Sequence, residues 1–236
     1  MSVAPNWRAT ATVGTAFRVP TLYQRFSDYG DASLQPEQSQ NTDLGLRCAQ
    51  GADSFSATVY RTNVTNLINW VGSTGTCAGN NGPSGGCYAN VGKARLEGIT
   101  LAGTTKRGMF NLHGSVDFQN PRDQATDKLL ARRAKRHLSL DLDRRLGDFN
   151  VGATWQAYSQ RYDDVANNRE IAGYGVLDLR GSWQASKELA FDLKLANLLD
   201  KGYSTALYQY AGDYRYYGYQ ETPRSLMLGL TWTPAL

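Results

Sequence analysis

Residues 138–157 read Leu-Ser-Leu-Asp-Leu-Asp-Arg-Arg-Leu-Gly-Asp-Phe-Asn-Val-Gly-Ala-Thr-Trp-Gln-Ala. Leu138, Leu140 and Leu142 alternate with Ser139, Asp141 and Asp143. After a turn at Leu146-Gly147-Asp148, Phe149, Val151, Ala153, Trp155 and Ala157 alternate with Asn150, Gly152, Thr154 and Gln156. A period of two puts alternate side chains on opposite faces of a strand, so this stretch predicts an antiparallel hairpin with one apolar and one polar face. The pattern continues outward in both directions. Phe110, Leu112, Gly114, Val116 and Phe118 oppose Asn111, His113, Ser115 and Asp117. Leu189, Phe191, Leu193 and Leu195 oppose Asp192 and Lys194, and Leu226, Leu228, Leu230 and Trp232 oppose Ser225, Thr231 and Thr233.

Roughly ten such strands follow one another, and the segments between them alternate strictly in length. The long connections are 18–37, 71–89, 120–131, 161–172 and 199–222; the tight turns are 49–53, 106–108, 146–148 and 185–188. Strict alternation gathers every long loop at one end of an up-and-down sheet and every short turn at the other. Outer-membrane β-barrels are arranged in this way, with short periplasmic turns and long extracellular loops. A soluble antiparallel sandwich also alternates, but three features count against it. The strands run about ten residues, enough for a tilted strand to cross a bilayer, where soluble strands average about five or six. Full charges stand mid-strand on the polar faces at Asp117, Asp141, Asp178, Arg180, Asp192 and Lys194, which suits a wet lumen. Tyr158, Tyr162, Tyr174 and Trp183 fall near strand ends, where amphipathic rings would sit at headgroup level.

The predicted fold is therefore all-β: a transmembrane antiparallel up-and-down β-barrel spanning residues 1–236 as one domain, in the Gram-negative outer membrane and in contact with its lipid. Closure of ten strands on themselves is a separate matter. An open or strained sheet with unpaired first and last edges is expected, and such edges aggregate unless they are covered.

Composition narrows the function. No stretch approaches the run of about 18 apolar residues that a transmembrane helix needs. The 25 basic and 21 acidic residues are interspersed, giving a net charge of +4 and no surface suited to nucleic acid. The densest basic run, Arg132, Arg133, Lys135 and Arg136, reads first as a solvated loop end. Of the three cysteines, Cys77 and Cys87 flank a Gly/Asn-rich loop. A disulfide between them fits an oxidising, extracytoplasmic location, and no second Cys or His pair accompanies them to make a zinc site. Cys48 is expected to be a free buried thiol. The N-terminus, Met1-Ser2-Val3-Ala4-Pro5, has neither a basic nor an apolar leader region, so a signal peptide is expected to have been removed or to lie further upstream in a longer polypeptide.

Four elements, in order along the chain, resemble TonB-dependent outer-membrane receptors. Gly14-Thr-Ala-Phe-Arg-Val-Pro-Thr-Leu-Tyr23 is similar to the family's "aFRaPt" element, and Leu34-Gln-Pro-Glu-Gln-Ser39 to its "L-x-P-E-x-S" segment. Asn90-Val-Gly-Lys-Ala-Arg-Leu-Glu-Gly98 is similar to its "N-x-g-k-A-r-x-x-G" re-entry strand, and Ala196-Asn-Leu-Leu-Asp-Lys-Gly-Tyr203 to its "v-x-N-L-f-D-k-x-Y" element. Pro20 and Pro36 fit as places where ladder pairing must stop, and Asn197, Asp200 and Gly202 as turn formers. These elements read as architecture more than as ligand contacts. The resemblance implies a barrel of about 22 strands around an N-terminal plug. This chain, with about ten strands and no room for a plug, looks like the C-terminal portion of one. The family ends on an aromatic residue, whereas here Thr233-Pro-Ala-Leu236 follows Trp232, which puts efficient insertion of this form in doubt.

Within the family, Leu129-Leu-Ala-Arg-Arg-Ala-Lys135 and Thr65-Asn-Leu-Ile68 resemble segments of cobalamin receptors. What this implies is active import of a large scarce ligand, cobalamin first and a ferric siderophore or haem as the alternative, powered by the TonB complex through the plug. The corrinoid or iron chelate would be cargo, and no cofactor is expected in this portion. Arg132 matches an arginine that faces the ligand in that subfamily. The Tyr-rich last connection offers amphipathic rings suited to a large planar ligand, with Tyr208, Tyr210, Tyr214 and Arg215 as candidate contacts. An aromatic girdle at the outer leaflet explains the same tyrosines equally well. A small stand-alone barrel (pore, adhesin or membrane enzyme) is the competing class. An enzyme would need a nucleophile–base pair; His113 sits mid-strand on a polar face with no nucleophile motif nearby, and His137 adjoins the basic run as a lumen or rim residue, so no catalytic residue is assigned.

Overall fold

The computed structural model describes residues 2–71, 86–90, 92–210 and 213–234. In chain order the first elements are β1 (Ser2–Ala4), β2 (Trp7–Arg18), the helix α1 (Leu22–Phe26), β3 (Glu37–Gln50), β4 (Asp53–Thr65), β5 (Ile68–Val71) and β6 (Cys87–Asn90). Then come β7 (Lys93–Arg107), β8 (Phe110–Asp123), β9 (Arg136–Leu146), β10 (Phe149–Tyr158), β11 (Arg161–Tyr162) and β12 (Glu170–Ile171). The chain ends with β13 (Tyr174–Gln184), β14 (Leu189–Ala196), β15 (Ser204–Tyr208), β16 (Tyr217–Gln220) and β17 (Ser225–Trp232).

One sheet carries β1-β2-β3-β4-β7-β8-β9-β10-β13-β14-β17 in that order. Setting aside the three-residue β1, these are the ten long meander strands that the alternating pattern predicts, each antiparallel to its neighbours. Gly51, Gly108 and Gly147 make the tight turns with φ of 59°, 58° and 61°, a region that side chains disfavour. The long connections are not structureless. They carry α1 and three two-stranded ribbons, β5–β6, β11–β12 and β15–β16.

No ladder joins β17 to β1 or β2 among the described residues. Nearly every position of β2 and β17 is exposed, whereas β7 and β13 are half-buried along most of their length. A strand with a long neighbour on one side only has little to shield it.

The register assigns the faces. His113, Asp117, Asp141, Thr154, Asp178, Arg180 and Lys194 share the polar face, and their charges are tied together across strands. Arg180 donates from Nη2 to Asp143 at 2.8 Å and lies 3.5 Å from Asp141, while Lys194 lies 3.4 Å from Asp178. Asp117 accepts from Thr100 at 2.7 Å and from Tyr60 at 3.3 Å. On the apolar face, Phe149, Trp183 and Phe191 stack across three strands near the short turns, with centroids 5.7 and 5.6 Å apart. Trp183 thus belongs to an interfacial ladder. Tyr158 and Tyr174 do not: they pair with His137 and with each other in the polar register, so they line the inner wall. Tyr162 lies in the β11–β12 ribbon. Cys48 is free, but it faces outward and is half-buried.

Strand length is uneven. β3, β4, β7 and β8 hold 14, 13, 15 and 14 residues, against 8 each in β14 and β17. About ten residues of tilted strand suffice to cross a bilayer, so the long strands rise beyond it. Their outer face turns polar there: Arg61 bonds Glu97 at 3.1 Å, Arg95 bonds Asn63 at 3.4 Å and Arg122 bonds Asn120 at 3.1 Å.

Candidate functional site

At the loop end of the polar wall the directly paired His137, Tyr158 and Tyr174 form an aromatic ladder that Tyr203 extends. The centroids are 4.2, 5.1 and 4.1 Å apart. Rings stacked on one another have spent those faces, so the ladder offers edges and hydroxyls rather than flat surfaces. Burial, with help from the neighbouring Tyr174, pushes the Tyr203 phenol up. The Arg161 guanidinium lies over the rings of Tyr158 and Tyr174 at 5.5 and 5.3 Å. Arg161 is 9% exposed, and its Nε and Nη2 have no hydrogen-bond partner among the described residues. The same holds for His137 Nε2. A buried cation beside two phenol rings, with two of its nitrogens unpartnered among the described residues, leaves hydrogen-bonding capacity unused at this spot.

Above the ladder three connections are laced together. Asp163, with its side chain 6% exposed, accepts from Arg132 Nε at 2.8 Å and from the Leu207 N–H at 3.0 Å. Arg132 has φ 60°, a conformation costing a non-glycine residue about 1–2 kcal/mol. Its own N–H, donated to Tyr162 O at 2.6 Å, helps to hold it there. Asn167 brackets Leu129, accepting its N–H at 2.8 Å and donating to its carbonyl at 2.9 Å, while Lys128 Nζ reaches Ala166 O at 3.0 Å. Arg169 donates to the Tyr216 hydroxyl at 3.0 Å. Segments 128–132, 161–169, 203–210 and 213–217 therefore form one layer.

The other loop cluster is built differently. Tyr29, Trp70, Tyr88 and Tyr23 meet edge to face at 5.2, 5.5 and 6.1 Å. Asn90 donates to Gln35 O at 3.0 Å and Asn66 O at 2.7 Å and accepts the Gln35 N–H at 2.9 Å. Glu37 accepts twice from Arg18 at 2.6 Å and once from the Ile68 N–H at 2.7 Å. Burial pushes the Glu37 carboxyl up, but the Arg18 bonds and the Ile68 N–H together pull it below its ordinary value. Thr21 and Gln24 form a capping box that fixes α1.

The sequence-predicted residues separate accordingly. Arg132 is the anchor of the laced layer, with its side chain still 53% exposed. Tyr208 and Tyr210 meet at 5.3 Å in a cluster with Tyr217 and Tyr219, and Tyr210 is largely exposed. Arg215 lies 5.8 Å over the Tyr217 ring and 3.4 Å from Asp213. The Arg215 N–H and then the Tyr217 hydroxyl hold Asp213 below the usual carboxylate range, and the bond to Asp213 pushes Tyr217 up. Tyr214, 96% exposed, stands clear of the cluster. Cys87 is disulfide-bonded; Cys77 lies outside the described residues. Sequence reasoning missed Arg161, Asp163 and Asn167. The run Asp163-Asp164-Val-Ala-Asn167-Asn168 was the available signal, because Asp and Asn side chains commonly bond nearby backbone in loops.

His113 bonds Thr104 at 3.0 Å, and Asp141 and Asp143 are both engaged by Arg180. The family model "TonB dependent receptor-like, beta-barrel" matches residues 2–198. The chain belongs to the TonB-dependent receptor family. It lies in the outer membrane of Gram-negative bacteria, and the family is one of transport receptors rather than enzymes. The fold is similar to the copper transporter OprC (TM-score 0.77, 20% identity, 98% of this chain and 39% of that one). It is also similar to the ferric enterobactin receptor PfeA of Pseudomonas aeruginosa (0.74, 21%, 98% and 38%). A third similar structure is the FrpB iron transporter of Neisseria meningitidis (0.68, 17%, 98% and 37%). The receptor segment thus spans well under half the length of these structures, and at these identities the likeness concerns the fold.

Proposed function

We propose that the protein containing this segment imports a metal chelate of siderophore type across the outer membrane, driven by the inner-membrane TonB complex through a plug that this segment does not include. The observation that carries the reading is the buried, hydrogen-bond-hungry Arg161 guanidinium beside a ladder of tyrosine hydroxyls at the loop end of the polar wall. Ferric siderophores are bulky, oxygen-rich and often anionic, which matches guanidinium and phenol donors. The similar folds named above belong to a copper transporter, a ferric enterobactin receptor and an iron transporter, which supports the same reading. Tyr210, Tyr214, Arg215 and the exposed part of Arg132 would meet the ligand first, with the ladder beneath. Cobalamin is the second reading, favoured by the Leu129-Leu-Ala-Arg-Arg-Ala-Lys135 segment. The Arg132–Asp163 pair weakens it, since that guanidinium is already engaged.

Equilibrium binding of ferric siderophores, a copper chelate and cyanocobalamin to the full-length receptor separates these readings. Submicromolar binding of a ferric siderophore, weakened tenfold or more by Arg161→Met, supports the proposal. Binding of cyanocobalamin alone replaces it with the second reading. The proposal includes a Cys77–Cys87 disulfide in the 71–89 connection. Thiol alkylation of the unreduced protein followed by mass spectrometry should leave both residues unmodified.

A further inference from the structure

Gly103 and Gly114 stand directly opposite each other in the β7–β8 ladder, on the lipid-facing side, between Phe55 and Leu140 in the same cross-strand row. Two adjacent positions without side chains open a groove of about 600 Å³, with Phe55 and Leu112 among its lining residues. Packing does not demand the first glycine: a Cβ at Gly103 would meet nothing nearer than Ser54 O at 3.5 Å. A Cβ at Gly114 would meet the tip of Leu140 at 2.9 Å, and then Ser139 O at 3.9 Å. A glycine inside a strand weakens it, and commonly marks a bulge or bend or a place where something else approaches closely. The ladder runs through both positions without a shift of register, so neither glycine marks a bulge.

At the short-turn end the groove is bordered by Asp53, Thr105 and Arg107. Arg107 Nη1 and Thr105 Oγ1 both bond Asp53 Oδ1, at 2.7 and 2.6 Å. The Arg107 and Asp53 side chains are 72% and 42% exposed, so a fixed positive–negative pair faces outward at the level of the periplasmic headgroups. Four residues up the strand, Gly103 is roughly 13 Å away, well within the reach of an acyl chain.

We infer that this groove holds a phospholipid of the periplasmic leaflet with a zwitterionic headgroup. One acyl chain lies over Gly103 and Gly114 against Phe55 and Leu112. The phosphate meets Arg107 and the primary ammonium meets Asp53. The charge order along the rim matches that headgroup and not a purely anionic one.

Native mass spectrometry of the detergent-extracted, membrane-inserted receptor with added phosphatidylethanolamine tests this. The wild type should retain one lipid. Gly103→Leu, which fills the groove, should cut retention at least fivefold, with Gly103→Ala intermediate and Arg107→Gln reducing it about threefold. Ala153→Leu, on the same face but outside the groove, should change nothing, and heat-modifiable mobility on gels should show every variant folded. Equal retention by wild type and Gly103→Leu overturns the site. Equal retention of phosphatidylglycerol overturns the headgroup assignment. A wild-type dimer that Gly103→Leu dissolves overturns the lipid in favour of a second copy of the protein.

Discussion

The loop cluster between β2 and β7 is held close to the sheet by carboxamide bonds, edge-to-face rings and one carboxylate, Glu37, at the strand end. The cluster above β9 to β14 is laced from loop to loop by Asp163 and Asn167. In the first, aromatic contacts and short-range bonds order each loop against its neighbour. In the second, order depends on a few carboxylate and amide hubs, and removing one hub should loosen three segments together. A ligand that must displace loops has an easier target in the second cluster than in the first.

The sharpest way to break this comparison is Asp163→Ala. It deletes a charge-assisted bond and a backbone anchor at a buried position, which should cost the layer about 2–4 kcal/mol. Hydrogen exchange at Leu207 and across 128–132 should rise together; a rise at one segment alone would mean that the layer is not a unit. Glu37→Gln comes next, at about 1–2 kcal/mol, with faster exchange confined to 66–71. The pH dependence has a definite sign. Because the folded Glu37 carboxyl lies below its ordinary value, its stabilisation is complete above an unfolded value near 4.3 and fades as pH falls through the lower folded value. Exchange at Ile68, corrected for its intrinsic pH dependence, should therefore be flat from neutral pH to about 5 and rise only below that. Arg132→Ala should cost about 1–2 kcal/mol: that guanidinium is half-exposed, but its loss leaves the buried Asp163 carboxylate one donor short. A large loss of ligand affinity on that background would assign Arg132 to the ligand as well as to Asp163. Smallest of all, Arg61→Ala at an exposed pair should change the unfolding free energy from chemical denaturation by no more than about 0.5 kcal/mol.

The strands, their faces and the alternation of long and short connections were legible because a half-buried sheet writes its period into the chain. Leu138 to Ala157 carries the whole hairpin, and its register was readable residue by residue. The inner wall's charges were also legible as polar-face residues. Their pairing was not, since Arg180 with Asp143 and Lys194 with Asp178 depend on which strands become neighbours. Tyr158 and Tyr174 were misplaced because position near a strand end was weighed above parity; counting in twos from Thr154 and Asp178 would have put both inside. The loop layer was the least legible part. Asp163 bonds residues that are 31 and 44 positions away, and no local pattern encodes such partners.

The uneven strand lengths have a consequence for the cell surface. With β7 at 15 residues and β17 at 8, the rim of this half of the wall differs in height by on the order of 15 Å after allowing for tilt. The tall flank, carrying Arg61, Glu97, Asn120 and Arg122 on its outward side, forms a polar parapet. A neighbouring protein or an antibody could grip it sideways without touching the loops that cover the lumen.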